Sequence, residues 1–293
     1  MPVEVIADPG STWKADTWEE SWRRMCDLMD VTRDAGADVF KPQLLRRGMY
    51  QDGTPAAALV GEYEVPDEWL PRLKDECDRR NLELMVTAYR AEDVPLIDPH
   101  VKRHKVASFD TANVALLRAI ADTGKRVLIS TGTQGDREPW RSLRLAWSER
   151  GDYHECLARV TPLHCISSYP AEPGQMNLRV LLRENYAGDD NGDIVPGPYK
   201  TMYLGLSDHS IGSVAAVIAV AYGATVIEKH IRHDRTHPGN PDYPAAMAPT
   251  DFLYYVDAIR EAELMLGDGI KRVMPGELVQ YRYDPATGRR GQP

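Results

Sequence analysis

The stretch YLGLSDHSIGSVAAVIAVAYGATVIEKH at 203–230 decides the fold of this chain. Two short apolar runs, 203–208 and 225–230, enclose a helical segment at 213–222 that ends in a Tyr-Gly-Ala step. A glycine at that point is typical of a helix C-terminus. Two strands that are joined through a helix pair in parallel by a right-handed crossover, so this stretch predicts one β-α-β unit.

The same alternation of strand and helix runs along the rest of the chain. Further strands are expected at 3–8, 39–43, 82–88, 105–108, 126–131 and 163–167. Further helices are expected at 17–35, 67–80, 94–99, 112–123, 138–149, 177–184 and 250–266. About eight such units in about 250 residues predict an α/β fold, the (β/α)8 TIM barrel, as a single domain over 1–268. A doubly wound open sheet is the structural alternative, but no GxGxxG follows the first strand to favour it.

Composition and charge exclude several classes of protein. The 293 residues are 43% hydrophobic, which is enough for a large core, and the net charge is −9 without a long basic run. This balance argues against nucleic acid or an anionic membrane as a partner. The start MPVEVIADPG is unlike a signal peptide, and the longest apolar stretch, 214–227, is too short to span a bilayer. Together with four scattered cysteines and no CxxC pair, these features predict a cytoplasmic protein.

Polar residues cluster where the predicted strands end. In a barrel, active-site groups lie at the C-terminal ends of the strands and on the loops that follow them. The residues expected there are Asp8, Lys41, Gln43, Thr87, Ser108, Asp110, Ser130, Ser167, Tyr169, Ser207, His209, Glu228 and His230. A single polar strand end means little, but a ring of them around one mouth is hard to explain by solvation alone.

Strand periodicity places some of these residues on one face. Side chains at i and i+2 of a strand point the same way. Three pairs share a face in this sense: Lys41 with Gln43, Ser207 with His209, and Glu228 with His230. His209 and His230 would end neighbouring strands, where two imidazoles can hold a divalent ion. Histidine also serves as a simple hydrogen-bonding residue, so spacing alone leaves both interpretations open.

Six segments together resemble a known family. GLSDHS at 205–210 and GATVIEKH at 223–230 resemble the paired signature of sialic acid synthases and their legionaminic and pseudaminic acid synthase relatives. Four further segments resemble the family in the same order: AGADVFKPQ at 35–43, KVASFD at 105–110, LISTG at 128–132 and PLHCISSYP at 162–170. The resemblance runs over 3–266 and implies a transferase of carbohydrate biosynthesis. Its members join phosphoenolpyruvate to the aldehyde of an N-acyl sugar and release phosphate.

The resemblance also implies roles for single residues. His209 and His230 stand where the family binds its metal, most often Mn²⁺, with Mg²⁺ or Co²⁺ as alternatives. Lys41 and Lys105 would be the cations that meet phosphoenolpyruvate. The expected hydroxyl donors are Thr87, Ser108, Ser130 and Ser207, and the pocket would be completed by Gln43, Ser167 and Tyr169. Among the acidic residues, Asp8 and Asp110 would act in catalysis. Glu228 would orient a ligand or Lys229, and Asp242 would contact the sugar.

Structural alternatives to these roles stay open. Lys41 and Lys105 could instead close ion pairs with Asp8 or Asp110, as buried strand-end lysines do. Asp242 lies beside prolines in PGNPDY at 238–243, so it could equally be a solvated turn residue.

The chain departs from the family at several points. Asp8 stands where the family has a Glu that contacts the sugar, and Ser167 stands where Asn is common. A loop at 186–200 is longer than expected, typical of a surface excursion or a lid. The family usually carries a C-terminal antifreeze-like domain that supplies an arginine to a partner's barrel. Here 269–293 is expected to be a tail without that domain, in which Arg282, Arg289 or Arg290 could substitute.

Three functional hypotheses follow. The leading one is a phosphoenolpyruvate-condensing synthase that makes a sialic-type 2-keto-3-deoxy acid. A related one changes the acceptor to another aldose or aldose phosphate, which the altered first strand favours. The third, from a different class, is a non-catalytic barrel that acts in binding or assembly. A homodimer is compatible with each of them.

Overall fold

A computed structural model describes residues 2–47, 49, 60, 62–135, 138–147, 158–182, 186–188, 194–196, 204–274, 287 and 289. The side chains of 138, 186–188 and 194–196 are not among them. Of the loop predicted at 186–200, only an antiparallel pair of strands, Tyr186–Gly188 with Ile194–Pro196, lies within this range. The predicted tail from 275 onward, with Arg282 and Arg290, lies outside the described residues apart from 287 and 289.

Within the described residues, eight parallel strands form one sheet. They are β1 Glu4–Gly10, β2 Val39–Pro42, β3 in two segments Glu83–Leu84 and Thr87–Ala88, β4 Arg103–Val106, β5 Arg126–Ser130, β6 Val160–Cys165, β7 Gly205–Asp208 and β8 Val226–His230. Along the sheet the order is β3-β2-β1-β8-β7-β6-β5-β4-β3, with β3 at both ends.

The third strand closes this sheet into a barrel. Its first segment pairs with β2, where Glu83 lies opposite Val39, and its second pairs with β4, where Thr87 lies opposite Lys105. A bridge between Gln43 and Thr87 continues the pairing with β2. The first and last members of the sheet order are thus parts of one strand. The predicted (β/α)8 barrel is confirmed, and an open doubly wound sheet is excluded.

Helices fill the crossovers between the strands. They are α1 Trp18–Asp34, α2 Trp69–Arg79, α3 Val94–Ile97 with a 3₁₀ turn on either side, α4 Val114–Asp122, α5 Glu138–Trp147, α6 Val214–Ala221 and α7 Pro249–Leu266. Within the part of the chain that the structure describes, none of them is long and apolar enough to cross a membrane.

One predicted helix has a different form. The segment predicted as α-helix at 177–184 is a 3₁₀ helix over Leu178–Leu182. Asn177 takes a left-handed φ of 42°, and Val180 donates to the carbonyl of Asn177, three residues back, at 3.2 Å. A left-handed residue at this point prevents a regular first α-helical turn, so the tighter i→i+3 bonding takes its place.

Local sequence explains the first helix well. The Thr17 side chain accepts a hydrogen bond from the backbone N–H of Glu20, which caps the N-terminus of α1. Glu19 and Glu20 lie in the first turn and Arg33 in the last, which complements the helix dipole. One face buries Met25, Leu28 and Met29 against the outside of the sheet.

Two apolar layers position the mouth of the barrel. The larger one lies between the strands and the surrounding helices. The smaller one fills the barrel interior with Ile6, Val39, Met85, Leu128, Leu163 and Val226. These interior residues pack below the strand ends and fill the barrel there.

Candidate active site

The C-terminal ends of the strands surround a cavity of about 300 Å³. Apart from Asp110 and Ser167, every predicted site residue lines it: Asp8, Lys41, Gln43, Thr87, Lys105, Ser108, Ser130, Tyr169, Ser207, His209, Glu228, His230 and Asp242. The structure therefore brings together side chains from all eight strands or the loops that follow them.

Four charged groups, which we call the cavity cluster, form the floor of this cavity: Asp8, Lys41, Lys105 and Glu228. Lys41 Nζ lies 2.6 Å from Asp8 Oδ2 and 3.6 Å from Glu228 Oε2. Lys105 Nζ lies 3.6 Å from Glu228 Oε1. The predicted ion pair between Lys41 and Asp8 is therefore present, whereas Lys105 pairs with Glu228 instead of Asp110. The two positive and two negative charges of the cluster cancel.

Burial and neighbouring charges set the pKa values of the cavity cluster. Burial alone would raise the pKa of Asp8, but the Lys41 ammonium and the His230 ring outweigh it and hold that pKa below its ordinary value. Burial likewise opposes the charge on Glu228, and the two lysines lower its pKa overall. For Lys41, the two carboxylates outweigh burial and raise the pKa. Burial dominates at Lys105 and lowers its pKa, so Lys105 is the less basic lysine.

Two hydroxyl groups that line the cavity accept hydrogen bonds from the lysines. Lys41 Nζ donates to Thr87 Oγ1 at 3.0 Å, and Lys105 Nζ donates to Ser130 Oγ at 2.8 Å. Because each hydroxyl oxygen accepts from an ammonium, its own proton is free to be donated elsewhere. Ser207 is arranged in the opposite sense, since its hydroxyl donates to Glu228 Oε1 at 3.0 Å. Thr87 and Ser130 thus add two donors to the two cations, a combination suited to an anion.

The two predicted metal ligands lie side by side. The ring centroids of His209 and His230 are 5.3 Å apart, and the Tyr169 ring packs against His209 at 4.1 Å. Nδ1 of His209 lies 2.7 Å from the carbonyl oxygen of Ile166. A carbonyl can only accept, so Nδ1 carries a proton, and Nε2 has a lone pair when the ring is neutral. Burial opposes the charge on His209, but Cys165 and the Ile166 carbonyl outweigh it and raise the pKa of the ring. Burial lowers the pKa of His230 despite the Asp8 carboxylate, which favours the neutral imidazole.

Two ring nitrogens at this position are of a kind that can bind a divalent ion. Nδ1 of His230 is buried and has no hydrogen-bond partner, and Nε2 of His209 is free of the Ile166 contact. Neutral imidazoles bind Mn²⁺, Co²⁺ and similar ions. No group of three or more His, Cys, Asp or Glu side chains is arranged to hold a metal ion within the described residues. An ion held by the histidine pair would therefore keep several positions open for other ligands.

Asp242 is fixed at the mouth by the loop after β1. Its Oδ2 accepts from the backbone N–H of Ser11 at 2.7 Å and from the Ser11 hydroxyl at 2.6 Å. Gly10 has a φ of 49°, and a Cβ there would overlap the Asp242 carboxylate and lie 3.1 Å from Nδ1 of His230. Only glycine permits this approach. Asp242 is therefore part of the cavity lining, and the alternative of a solvated turn residue is not what the structure shows.

Two predicted site residues lie outside the cavity lining. Asp110 accepts a hydrogen bond from Asn113 Nδ2 at 3.2 Å, and burial raises the pKa of its carboxyl group. It belongs to the 3₁₀ turn Ser108–Asp110, because β4 ends at Val106 and the predicted strand 105–108 does not extend that far.

Ser167 lies beyond the end of β6, next to a second cavity of about 390 Å³. Its hydroxyl is buried without a partner, and a Cβ on Gly132 would overlap it. The predicted strand 163–167 ends two residues earlier, at Cys165, so the i, i+2 alternation no longer decides where Ser167 points.

Sequence reasoning missed several residues that line the cavity. The Tyr89 hydroxyl donates to Gln43 Oε1 at 2.6 Å, and Gln43 Nε2 in turn donates to Asp8 Oδ2 at 2.9 Å. Tyr89 stands two residues after Thr87, so the periodicity of β3 already indicated it. Cys165 also lines the cavity, with its Sγ 3.9 Å from Nδ1 of His209. Phe109 lies on the 3₁₀ turn Ser108–Asp110, to which no strand period applies.

A larger cleft of about 1080 Å³ lies beside the mouth and shares Tyr63 with it. It is lined by loop residues whose charges are paired with one another, such as Arg46 with Asp67 and Arg47 with Glu64. The smaller cavity holds the strand-end groups with altered pKa values and free donors. Because chemistry depends on those groups, we place the candidate active site there.

Comparisons with known proteins point to one family. The NeuB family model matches residues 28–271. The human N-acetylneuraminate-9-phosphate synthase is 30% identical, over 94% of this chain and 75% of that protein. The N,N'-diacetyllegionaminic acid synthase of Legionella pneumophila is 28% identical, over 95% of this chain and 77% of that protein. The solved structure of an N-acetylneuraminic acid synthetase from Leptospira borgpetersenii, in complex with citrate, has a TM-score of 0.77 at 26% identity, covering 94% and 88% of the two chains.

Proposed function

The chain belongs to the NeuB family, and from that premise we propose that it condenses phosphoenolpyruvate with the aldehyde of an N-acyl sugar. The products would be a sialic-type 2-keto-3-deoxy acid and inorganic phosphate. The relatives' names support this, since they are synthases of N-acetylneuraminic acid 9-phosphate and of diacetyllegionaminic acid.

One observation carries the proposal. Lys41 and Lys105 are both buried on the floor of one cavity, and each is hydrogen-bonded to a hydroxyl whose proton is free. Phosphoenolpyruvate presents a carboxylate and a phosphate, which need cations and directed donors in a site that excludes water. The paired lysines and the hydroxyls of Thr87 and Ser130 provide both.

The charge balance of the site favours a divalent cation as a cofactor. The cavity cluster is neutral as a whole, so an anionic reactant would add uncompensated negative charge. His209 and His230 are the residues that would hold an ion, with Mn²⁺ as the first expectation and Mg²⁺ or Co²⁺ as alternatives. When bound, such an ion supplies positive charge and a Lewis acid that polarises an aldehyde oxygen.

The reaction makes and breaks three kinds of bond. The CH2 carbon of phosphoenolpyruvate bonds to the aldehyde carbon. A water oxygen bonds to the neighbouring carbon, which bears the phosphate. The C–O bond between that carbon and the phosphate then breaks. Phosphate leaves with the bonding electrons. The water oxygen loses two protons, one when it bonds to carbon and one when phosphate leaves and the keto group forms. One proton ends on the former aldehyde oxygen and the other on the departing phosphate, so the site needs a group near the reacting carbons that can accept a proton and pass it on.

Glu228 fits the role of that proton acceptor. Its Oε2 is buried without a hydrogen-bond partner, while Oε1 is held by the Ser207 hydroxyl. Lys105 and Lys41 keep its pKa below the ordinary value, so the carboxylate is charged at neutral pH. Its Oε2 lies 3.6 Å from Lys41 Nζ and accepts no hydrogen bond, so this oxygen of the charged carboxylate can accept a proton from water.

Asp8 is better placed to position than to react. Its Oδ1 accepts from the backbone N–H of Gly10 at 2.8 Å, and its Oδ2 accepts from Lys41 at 2.6 Å and from Gln43 at 2.9 Å. Both oxygens are therefore occupied. We assign Asp8 the task of holding Lys41 toward the cavity.

Phosphate release from phosphoenolpyruvate tests the proposal. The assay would compare N-acyl mannosamines, 2,4-diacetamido hexoses and simple aldoses, each with and without Mn²⁺. His209→Ala is expected to abolish release, and His233→Ala, a partly buried histidine beside Asp27 that does not line the cavity, serves as the matched control. Release that needs an N-acyl acceptor and metal, and is lost only in His209→Ala, supports the proposal. A folded wild-type protein that releases no phosphate with any acceptor contradicts it.

A further inference from the structure

A third hydroxyl group of the cavity is oriented by a backbone N–H. The hydroxyls of Thr87 and Ser130 accept hydrogen bonds from the two cavity lysines. Ser108, which is buried and lies on the turn after β4, accepts instead from the backbone N–H of Gly132 at 3.0 Å. Because its oxygen accepts this bond, its proton is available to an acceptor in the cavity that Ser108 lines. The Cys165 sulfur lines the same cavity, but it is a weaker acceptor than an anionic oxygen.

The chain at Gly132 is packed too closely for any other residue. A Cβ there would overlap Ser167 Oγ, lie 2.9 Å from Ser108 Oγ and lie 3.2 Å from the backbone nitrogen of Ser167. The two serines belong to different loops, so no single side-chain movement relieves both contacts. Only glycine lets the segment after β5 approach Ser108 closely enough for its N–H to reach the hydroxyl.

The next residue, Thr133, has an unfavourable backbone conformation. Its φ is 65°, which is uncommon for a residue other than glycine and an outlier for a β-branched one. This angle sets the direction of Cβ relative to the preceding peptide. Here it places Thr133 Oγ1 3.5 Å from the carbonyl oxygen of Ser108, which also accepts from the Thr111 hydroxyl at 3.0 Å. Two consecutive residues after β5 therefore contact both the hydroxyl and the carbonyl group of Ser108.

Left-handed residues other than glycine cluster at this place. Within the part of the chain that the structure describes, they are Asn81, Thr133 and Asn177. Asn81 follows α2, where a left-handed residue is an ordinary way to end a helix. Thr133 and Asn177 both line the second cavity, beside Ser167. A strained conformation persists only where the surrounding structure imposes it, and such strain is typical of functional sites.

We propose that Gly132 and Thr133 are positioning residues that turn the Ser108 hydroxyl toward an anionic oxygen of phosphoenolpyruvate. The inference rests on the proposed function. The Gly132 N–H occupies a lone pair of Ser108 Oγ, and Thr133 holds the turn against that N–H. The cavity then presents three hydroxyl groups that each accept from the protein and donate to the reactant. A donor that is fixed in advance needs no reorganisation when the anion binds.

A double-mutant cycle tests whether Gly132 acts through Ser108. Calorimetric titration with phosphoenolpyruvate, in the presence of Mn²⁺ and without an acceptor, measures the Kd. Gly132→Ala is expected to raise the Kd about tenfold, the size of one hydrogen bond to a charged group. In the Ser108→Ala background the same change should raise it by no more than about twofold, because the group through which Gly132 acts is gone. Gly174→Ala is the matched control, since a Cβ there would meet nothing within 4 Å.

Two substitutions of Thr133 test the left-handed turn without adding a side chain at Gly132. Thr133→Gly relieves the strain and frees the turn, so it should raise the melting temperature and also raise the Kd of phosphoenolpyruvate several-fold. Thr133→Asn should keep a Kd close to that of the wild-type protein, because asparagine tolerates this conformation and its amide can donate to the Ser108 carbonyl. A Thr133→Gly variant with a raised melting temperature and the wild-type Kd overturns the role of Thr133. If Gly132→Ala does not fold, this pair decides.

Phosphate release from the same preparations separates the positioning role from the reaction. If the wild-type protein binds phosphoenolpyruvate and the variants show the expected pattern, but no acceptor releases phosphate, the proposed function fails and the positioning role stands. Two results overturn that role. One is an equal rise of the Kd for Gly132→Ala in both backgrounds, and the other is a folded Gly132→Ala variant with the wild-type Kd.

Discussion

Buried charges lie on both faces of β7 and β8, and the two groups differ in kind. The cavity cluster faces the mouth. On the outer face, a second group, which we call the outer cluster, consists of Asp208, Ser210, Lys229 and Tyr255. Lys229 Nζ lies 3.5 Å from Asp208 Oδ2 and donates to the carbonyl oxygen of Ser210. The Tyr255 hydroxyl, from α7, donates to Asp208 Oδ2 at 2.9 Å.

Burial does not distinguish the two clusters. Lys41, Lys105 and Lys229 are all at most 2% exposed. The difference lies in what remains unsatisfied. Glu228 Oε2 has no hydrogen-bond partner, whereas Asp208 accepts at both oxygens, from Ser210 at Oδ1 and from Tyr255 at Oδ2. The cavity cluster thus keeps capacity for a ligand, and the outer cluster uses its capacity to hold the ends of the strands.

The largest expected effect comes from Lys105→Met in the cavity cluster. This change removes a cation and the group that orients the Ser130 hydroxyl, so kcat/KM for phosphate release should fall about 10³-fold. Lys105 lies beside an open cavity, and we expect the melting temperature to change little. The measurement is phosphate release together with thermal unfolding of the same preparation.

Lys229→Met is the matched change in the outer cluster. It leaves the Asp208 carboxylate buried and without its cation, so the free energy of unfolding should fall by about 3 kcal/mol. Denaturant unfolding measures this loss, and the activity of the folded fraction should fall much less than in Lys105→Met. If Lys105→Met unfolds while Lys229→Met stays folded and inactive, the comparison of the two clusters is reversed.

Two Tyr→Phe changes sharpen the comparison at the level of a single hydroxyl. Burial raises the pKa of both Tyr89 and Tyr255 well above the ordinary value, so both act as neutral donors. Tyr255→Phe should lower the free energy of unfolding by about 1.5 kcal/mol, because its hydroxyl donates to a charged group. Tyr89→Phe should leave the free energy of unfolding nearly unchanged. It should raise the KM of at least one substrate several-fold, since Gln43 loses the hydrogen bond that orients its amide.

Unfolding and steady-state kinetics on both tyrosine variants give the outcome. A loss of stability in Tyr89→Phe as large as in Tyr255→Phe would show that the cavity hydroxyl is structural.

The smallest expected effect is on the pH dependence of stability. His104, like His230, is buried with an unpartnered Nδ1, but it lies away from the cavity with its Nε2 3.0 Å from Asp98. Burial lowers the pKa of His104 below its ordinary value of 6.5, despite Asp98. Below pH 6.5 the unfolded chain therefore binds a proton that the folded chain does not bind. The free energy of unfolding falls as the pH is lowered, until the pH has passed the pKa of the folded state.

His104→Gln should make the fall in unfolding free energy below pH 6.5 shallower, and denaturant titrations between pH 7 and pH 5 measure it. The control is His233→Gln, which changes a histidine that is only partly buried. Equal slopes in His104→Gln and the wild-type protein would contradict the assignment.

Periodicity predicted the fold and much of the site. Strand and helix alternation indicated the barrel, and the i, i+2 rule placed Lys41 with Gln43 and Glu228 with His230 on one face, as the structure shows. The prediction that His209 and His230 end neighbouring strands is also confirmed, since β7 and β8 pair in parallel. These features depend on the strand repeat alone, which a single sequence displays directly.

The remaining features depend on contacts between distant segments. Ser108 and Phe109 lie on a 3₁₀ turn held by Asn113 and Thr111, and no strand period applies to them. The partner of Lys229 was also open at the level of the sequence. Glu228 contacts the two cavity lysines, and Asp208 on the next strand takes Lys229. A motif shows which residues are near in the chain, whereas packing decides which side of the sheet each one meets.

Thr87 belongs at once to the closure of the barrel and to the floor of the cavity. It bridges to Gln43 on one side and lies opposite Lys105 in β4 on the other, and its hydroxyl contacts Lys41. A molecule held between the two lysines therefore spans the strands that meet at this join. Binding of such a molecule between the lysines then stabilises the closed barrel relative to the unfolded chain by mass action. The concentration of the substrate in the cell would in this way also govern how long each copy of the protein survives unfolding and proteolysis.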